Sequence, residues 1–374
     1  GSPFQVTADK DGRLDVSQDV TTGHKVFSNA ADTESEGPIQ SRLRVSWMGI
    51  PLKTIDVQVL QAQSLIPGGS SIGVALQTQG TLVVGRASII DESGKTCNPG
   101  VEAGIQPGDI ITHVDGIEVE NANHLTELID ARMPNAVSLT LKRSDKTMDV
   151  TVTPVREQQD GRYRMGLWVR DSTAGVGTMT FYDPQTQKFG ALGHSISDLD
   201  TGNLLTVRSG DVYESKVIDV QQGQNGTPGE MHGQFGSAQS KFGTLESNTP
   251  YGIFGTCSRE VVNPLYTEPI PIGGRDVIHT GKASILTTVD DGGVKEYECE
   301  IVRLYKQSEP QVKSMVLKIT DQELLQKTGG IVQGMSGSPI LQDGRLVGAV
   351  THVFVNDPTM GHGVYIEWML QACN

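Results

Sequence analysis

Apolar residues fall at alternate positions in short runs, and Gly, Pro, Asn and Asp sit between the runs, a pattern that predicts short strands joined by turns. Residues up to about Arg42 are the exception. They are polar, rich in Asp, Ser, Thr and Gly, and their apolar positions follow neither a two-residue nor a 3.6-residue period. An arm with a lead-in strand (Leu43, Val45, Trp47) is expected over residues 1–56. A block over residues 57–156 carries its own complete set of elements: strands at Ile55 to Leu60, Thr81 to Ile89, Asp109 to Val114 and Val137 to Lys142, closed by Met148 to Val155. One helix interrupts them, with Asn123 as its cap, Leu125, Leu128 and Ile129 as its buried stripe, and Pro134 past its end. Over residues 160–374 strands and turns alternate at Thr178 to Tyr182, Ser215 to Val220, Ile278 to Thr287, Val294 to Leu304, Ser314 to Ile319, Arg345 to Val350 and Gly363 to Ile366. That spacing favours a β-barrel or a pair of barrels.

Composition narrows the class. The 374 residues include 44 Gly and 17 Pro but only 5% aromatics, which fits many turns and few long helices. A net charge of −14 would repel a phosphate backbone, so nucleic acid is not an expected partner. No apolar run approaches the roughly 18–20 residues of a membrane-spanning helix. The four cysteines, Cys97, Cys257, Cys299 and Cys373, are too far apart for a disulfide framework or a Cys-x-x-Cys metal site, and neither a metal nor a cofactor is expected.

Two strings carry chemistry. Gly334-Met335-Ser336-Gly337-Ser338-Pro339 places glycine two residues before a serine, which lets the amides of Gly334 and Ser336 point into one pocket as an oxyanion hole. The same letters would also suit a tight polar turn. A candidate base precedes the serine: His194, in Leu192-Gly193-His194-Ser195, follows a hairpin around Asp183-Pro184. His352 and His362 are competitors. An orienting carboxylate is open among Asp198, Asp200, Asp276, Asp290, Asp291 and Asp321. Asp321 lies 15 positions before Ser336, where Thr320 and Glu323 also read as a helix start.

Gly104-Ile105-Gln106-Pro107-Gly108-Asp109-Ile110-Ile111 with Val114-Asp115-Gly116 resembles a PDZ domain of the bacterial protease-associated kind. That resemblance maps peptide binding onto Ser71, Ile72, Gly73 and Val74, with an extended peptide adding as a strand beside Ile72 to Leu76. The serine loop, followed by Gly361-His362-Gly363-Val364-Tyr365-Ile366, resembles chymotrypsin-type serine peptidases, although Met335 stands where digestive enzymes carry the Asp of their zymogen switch. The order of arm, PDZ domain and peptidase is similar to the sporulation stage IV B peptidase family. The implied fold is mainly β: an N-terminal arm, a PDZ domain, then a chymotrypsin-like β-barrel peptidase domain.

The resemblance implies a serine endopeptidase with His194, Asp321 and Ser336 as its catalytic residues. It implies secretion from the forespore into the intermembrane space, self-cleavage near the N-terminus, and cleavage of a membrane-bound regulator that releases an intramembrane metalloprotease to process a mother-cell sigma factor. Expected partners are that protein substrate and a second copy of the chain. The family's N-terminal membrane segment is absent from this sequence. The contrasting reading is an inactive scaffold whose PDZ groove binds peptide.

Overall fold

The computed structural model describes five backbone strands within residues 4–59 and, over residues 63–373, every position except Asp145 and Leu199. In the N-terminal unit Phe4–Ala8, Ile39–Trp47 and Ile50–Val59 form a three-stranded antiparallel sheet, and Leu14–Gln18 pairs with Lys25–Asn29. The expected arm is therefore paired strand. Ladder hydrogen bonds come from the backbone, so a polar segment can pair without the apolar period that the sequence reading sought. Leu60, the end of one predicted strand, lies outside the described residues.

The second unit begins at Ser64. Its first elements are β1 (Ser64–Pro67), β2 (Ser71–Arg86), β3 (Ile110–Val114), α1 (Ala122–Asp130), β4 (Val137–Arg143) and β5 (Lys146–Val152). Next come β6 (Leu167–Tyr182), β7 (Lys188–Ala191), β8 (Val207–Glu214), β9 (Lys216–Gln221), β10 (Glu230–Gln234), β11 (Lys241–Thr249) and β12 (Gly252–Cys257). The chain closes with β13 (Gly281–Thr287), β14 (Lys295–Leu304), β15 (Met315–Ile319), α2 (Gln322–Thr328), β16 (Pro339–Gln342), β17 (Arg345–Phe354), β18 (Asp357–Tyr365) and α3 (Ile366–Cys373).

Two barrels result. Strands β2, β8, β11, β12, β7 and β6 are neighbours in that order, and β6 pairs back onto β2 to close the ring. Alternate residues of these strands, among them Ile72, Val74, Leu76, Met179, Phe189, Val212, Leu245 and Ile253, fill its interior. The second barrel closes through β13, β14, β15, β18, β17 and β16. Its core takes every second residue of β14 (Tyr297, Cys299, Ile301) and of β15 (Met315, Leu317, Ile319). Each such Leu or Ile contributes roughly 1.5–3 kcal/mol of burial. Cys257 and Cys299 are buried as expected, and burial pushes both thiols up to about 12.

The PDZ domain is inserted into the first barrel. The outer half of β2 carries Val83 into a core with Ile105, Ile111, Leu125, Ile129, Val137, Leu139 and Leu141, while its inner half carries Leu76 into the barrel. Strand β6 divides in the same way: Leu167–Arg170 pairs with Arg86–Leu82, and Ser172–Thr178 with Gln77–Ser71. The register shifts at Asp171, whose carboxylate accepts from the first helical amide of α1, Ala122 N–H, at 2.6 Å. Helix α1 is capped by Asn121, not Asn123, with the Asn121 side chain accepting from His124 N–H at 2.9 Å.

Two expectations are corrected by this arrangement. The boundary at residue 57 gives residues 71–77 to the wrong domain, because alternation runs through β2 and does not reveal where one sheet hands over to the other. The proposed peptide-binding residues Ser71, Ile72, Gly73 and Val74 have no free edge, since β6 pairs on one side of this stretch and β8 on the other. Gly73 is demanded by packing: a Cβ there would lie 2.0 Å from the Phe235 ring.

Candidate active site

The β6–β7 hairpin turns at Asp183-Pro184 and returns through Tyr182↔Phe189 and Met179↔Ala191. Leu192 and Gly193 follow, both at φ +68°, and swing the chain out of the barrel so that His194 stands at its rim. Leu192 holds this costly backbone conformation because it is anchored: its N–H donates to Thr178 O at 3.2 Å and its side chain is 7% exposed.

The serine loop belongs to the second barrel and is fastened to the first. Thr178 holds it twice, its N–H donating to Ser336 O at 3.0 Å and its hydroxyl to Gly334 O at 2.7 Å. Thr180 donates its hydroxyl to Gly337 O at 2.8 Å. Gly337 sits at φ +97° with its Cα against the first barrel; a Cβ would meet Thr178 O at 2.0 Å and Leu192 N at 2.5 Å. Only glycine fits there. The bend before His194 and the loop carrying Ser336 are thereby pressed together.

Within the loop, the amides of Met335, Gly337 and Ser338 are spent on Val332 O, Val350 O and Met335 O. The amides of Gly334 and Ser336 have no backbone acceptor among the described residues. Thr178 fixes the Gly334 carbonyl and therefore the orientation of the peptide unit that follows it. Met335, fully buried, roots the loop in the second core.

His194 Nδ1 lies 2.8 Å from Ser195 O. A carbonyl can only accept, so Nδ1 carries the hydrogen and Nε2 presents its lone pair. Burial holds this imidazole below its ordinary pKa, against a smaller opposing effect of the Ser195 bond, so it is a neutral base at neutral pH. Ser336 Oγ donates to Thr351 O at 2.8 Å.

Asp321, Asp198, Asp200 and Asp290 are engaged elsewhere. Asp321 is the N-cap of α2: Oδ1 accepts from Leu324 N–H at 3.0 Å and Oδ2 from Glu298 N–H at 3.4 Å. It lies five residues beyond Val316, which pairs with His362. Asp321 is not brought to His194, and its carboxylate does the work of a helix start, the alternative its flanking Thr320 and Glu323 had signalled. Asp198 is buried and accepts from Asp200 N–H, Thr201 N–H and Arg170 Nη1, while Asp200 pairs with Arg170 Nη2 at 3.0 Å. Asp290 is bound to Lys327.

What does face His194 is His352, with ring centroids 5.3 Å apart and planes tilted by 41°. His352 is paired with His362 in the β17–β18 register, and His362 rests on Phe354 at 4.8 Å. His352 is open to solvent on one side, yet burial by the surrounding protein, with His194, Lys313 and His362 adding to it, lowers its pKa to about 4. Sequence reasoning did not find Thr178, Thr180 or Thr351. The sole signal was two threonines on one face of a strand, which an exposed strand would show equally.

Residues 161–370 match the model of the SpoIVB peptidase S55 family, and residues 98–143 match that of the PDZ domain. Among solved structures, the active form of the Rv3671c protease from M. tuberculosis is 14% identical, with 54% of this chain and 73% of that chain covered and a TM-score of 0.33. Its inactive form is 15% identical, with 53% and 84% covered and a TM-score of 0.31. Over 80 residues the chain is 36% identical to a Mesorhizobium japonicum protein described as "Putative zinc metalloprotease mll0638", spanning about a fifth of that relative's length (21%).

Proposed function

Because the chain belongs to the SpoIVB peptidase S55 family, and with it to the serine endopeptidases, we propose that Ser336 is the nucleophile and His194 the general base of peptide-bond cleavage. The observation that carries this reading is the double hold of Thr178 on the serine loop, which sets Ser336 and its neighbouring amides beside the His194 bend. Ser336 Oγ attacks the scissile carbonyl carbon as His194 Nε2 takes the hydroxyl proton. The carbonyl oxygen becomes an oxyanion facing the amides of Gly334 and Ser336. Collapse breaks the C–N bond, the proton passes from His194 to the leaving amine, and water repeats the sequence on the acyl-enzyme.

The finer role follows from the family resemblance and the domain order. The chain cleaves itself near its N-terminus, then clips a membrane-bound regulator of an intramembrane metalloprotease in the space between forespore and mother cell, and so leads to sigma-factor processing. Treatment of the purified chain with a serine-directed organophosphonate is expected to add one phosphonyl group to Ser336, located by peptide mass spectrometry. No adduct on a folded chain would turn the reading to the scaffold alternative. Incubation followed by N-terminal sequencing is expected to yield a new terminus in wild type and none in Ser336→Ala.

A further inference from the structure

A base that must collect a proton from one fixed oxygen needs its tautomer set and its ring held still. The Ser195 carbonyl does the first. It does the second poorly, because it belongs to the adjacent residue and moves with the same bend. Asp321, Asp198 and Asp200, three of the carboxylates weighed for this task, bond to a helix start, a loop and Arg170. The ring that meets His194 is His352.

We propose that His352 is a positioning residue for the general base, packed ring against ring on His194 so that Nε2 stays directed at Ser336. The inference rests on the Ser336–His194 reading above. Strand β17 is suited to the task, since the residue before His352 is tied to both partners. Thr351 O takes the Ser336 hydroxyl at 2.8 Å, and Thr351 Cγ2 lies 2.9 Å from where a Cβ on Gly193 would be. One short stretch of backbone thus references His352 to the nucleophile and to the bend carrying the base. Pairing of His352 with His362, itself resting on Phe354, supports the far side of the arrangement. Burial, with smaller effects of the titratable and charged groups His194, Lys313 and His362, keeps His352 uncharged at neutral pH. A neutral ring does not oppose the positive charge that His194 acquires as Ser336 attacks.

The test compares His352→Ala, His352→Phe and His352→Lys with Ser336→Ala, His194→Ala and Asp321→Asn, using kcat and KM on a peptide and the rate of phosphonylation of Ser336 across pH. His352→Ala should lower kcat on the order of 10- to 100-fold, the cost of a misplaced catalytic group, with KM nearly unchanged. His352→Phe, which keeps an aromatic ring in place, should recover most of that loss. His352→Lys should move the acid limb of kcat/KM to lower pH, because a cation beside His194 disfavours its protonation; an unmoved limb would mean that the two side chains do not meet and would overturn the proposal. Wild-type rates in His352→Ala, with Ser336→Ala and His194→Ala inactive, would overturn the proposal and leave the nucleophile–base reading standing. So would a folded, inactive Asp321→Asn beside a normal His352→Ala. If His352→Ala fails to fold, a folded His352→Phe as slow as His194→Ala would equally overturn it, since the aromatic ring would be present without effect. Activity in Ser336→Ala would instead remove the reading beneath it.

Discussion

Thr178→Val isolates the contact that joins the two barrels at the site. Valine keeps the β-branched shape and the backbone N–H, so the 3.0 Å bond to Ser336 O survives and only the 2.7 Å hydroxyl bond to Gly334 O is lost. Thr178 is fully buried, and the Gly334 carbonyl would be left with an unmet acceptor, at about 1–3 kcal/mol. For a unit of this size each kcal/mol shifts Tm by roughly 1.5 °C, so a fall of about 1.5–5 °C is expected in a thermal melt. The effect on rate has a different source. Gly334 O is one end of the loop whose amides face the developing oxyanion, and loosening a donor in such a pocket costs up to about 10²–10³ in kcat when the donor is lost outright. A reoriented but present donor should cost less, about 10- to 100-fold in kcat with KM little changed, since these amides bind charge that exists only in the transition state. Thr178→Ser should restore both quantities. A variant that melts earlier yet turns over at the wild-type rate would refute the argument, and so would a Thr178→Ser as slow as Thr178→Val.

Replacing residues 87–166 by a short Gly-rich turn should leave a folded peptidase that still labels at Ser336, because Arg86 and Leu167 already face each other in register; deleting residues 57–156 should destroy the first barrel, as followed by circular dichroism and labelling. Asp321→Ala should cost about 1 kcal/mol with little change in rate, and Asp321→Asn less than that, since Asn also caps helices; a folded Asp321→Asn slowed about 10⁴-fold would place the carboxylate on His194 in the working enzyme. The pH dependence of stability has a defined sign. His194, His352 and His362 all lie below the ordinary histidine value in the folded state, so below about pH 6.5 the unfolded chain takes up protons first. These three groups should therefore make stability fall as pH drops below that value toward about 4, the value for His352. Chemical denaturation across this window checks it, and His352→Gln should flatten the slope.

The loops that carry Ser336 and His194 were legible in the sequence because they are built from residues with few uses: glycines where φ must be positive or backbones must touch, and a proline where a strand begins. Five of the six strands of the second barrel were legible as well, with alternation clearest in β14; β16, buried along its whole length, carries no alternation and was not expected as a strand. The PDZ segment announced itself by turn residues at fixed offsets. Less could be read in the first barrel. Strands β7, β8, β11 and β12 carry glycines at close approaches, and glycine erases the apolar alternation that marks a strand.

What the chain by itself determined is local: which residues turn, which cap, which alternate, and in what order a base and a nucleophile occur. What only the tertiary structure decided is pairing. Residues 71–77 read the same whether their edge is open to a peptide or closed by β6 and β8, because hydrogen bonding along a strand edge is a property of the backbone and leaves no mark on the side chains. Asp321 reads the same as a cap or as an orienting carboxylate, and Thr178 the same as an exposed threonine, until the fold supplies the amide or carbonyl each one meets. His352 reached His194 only through the closure of two barrels whose meeting residues are 158 positions apart, a contact that no local period encodes.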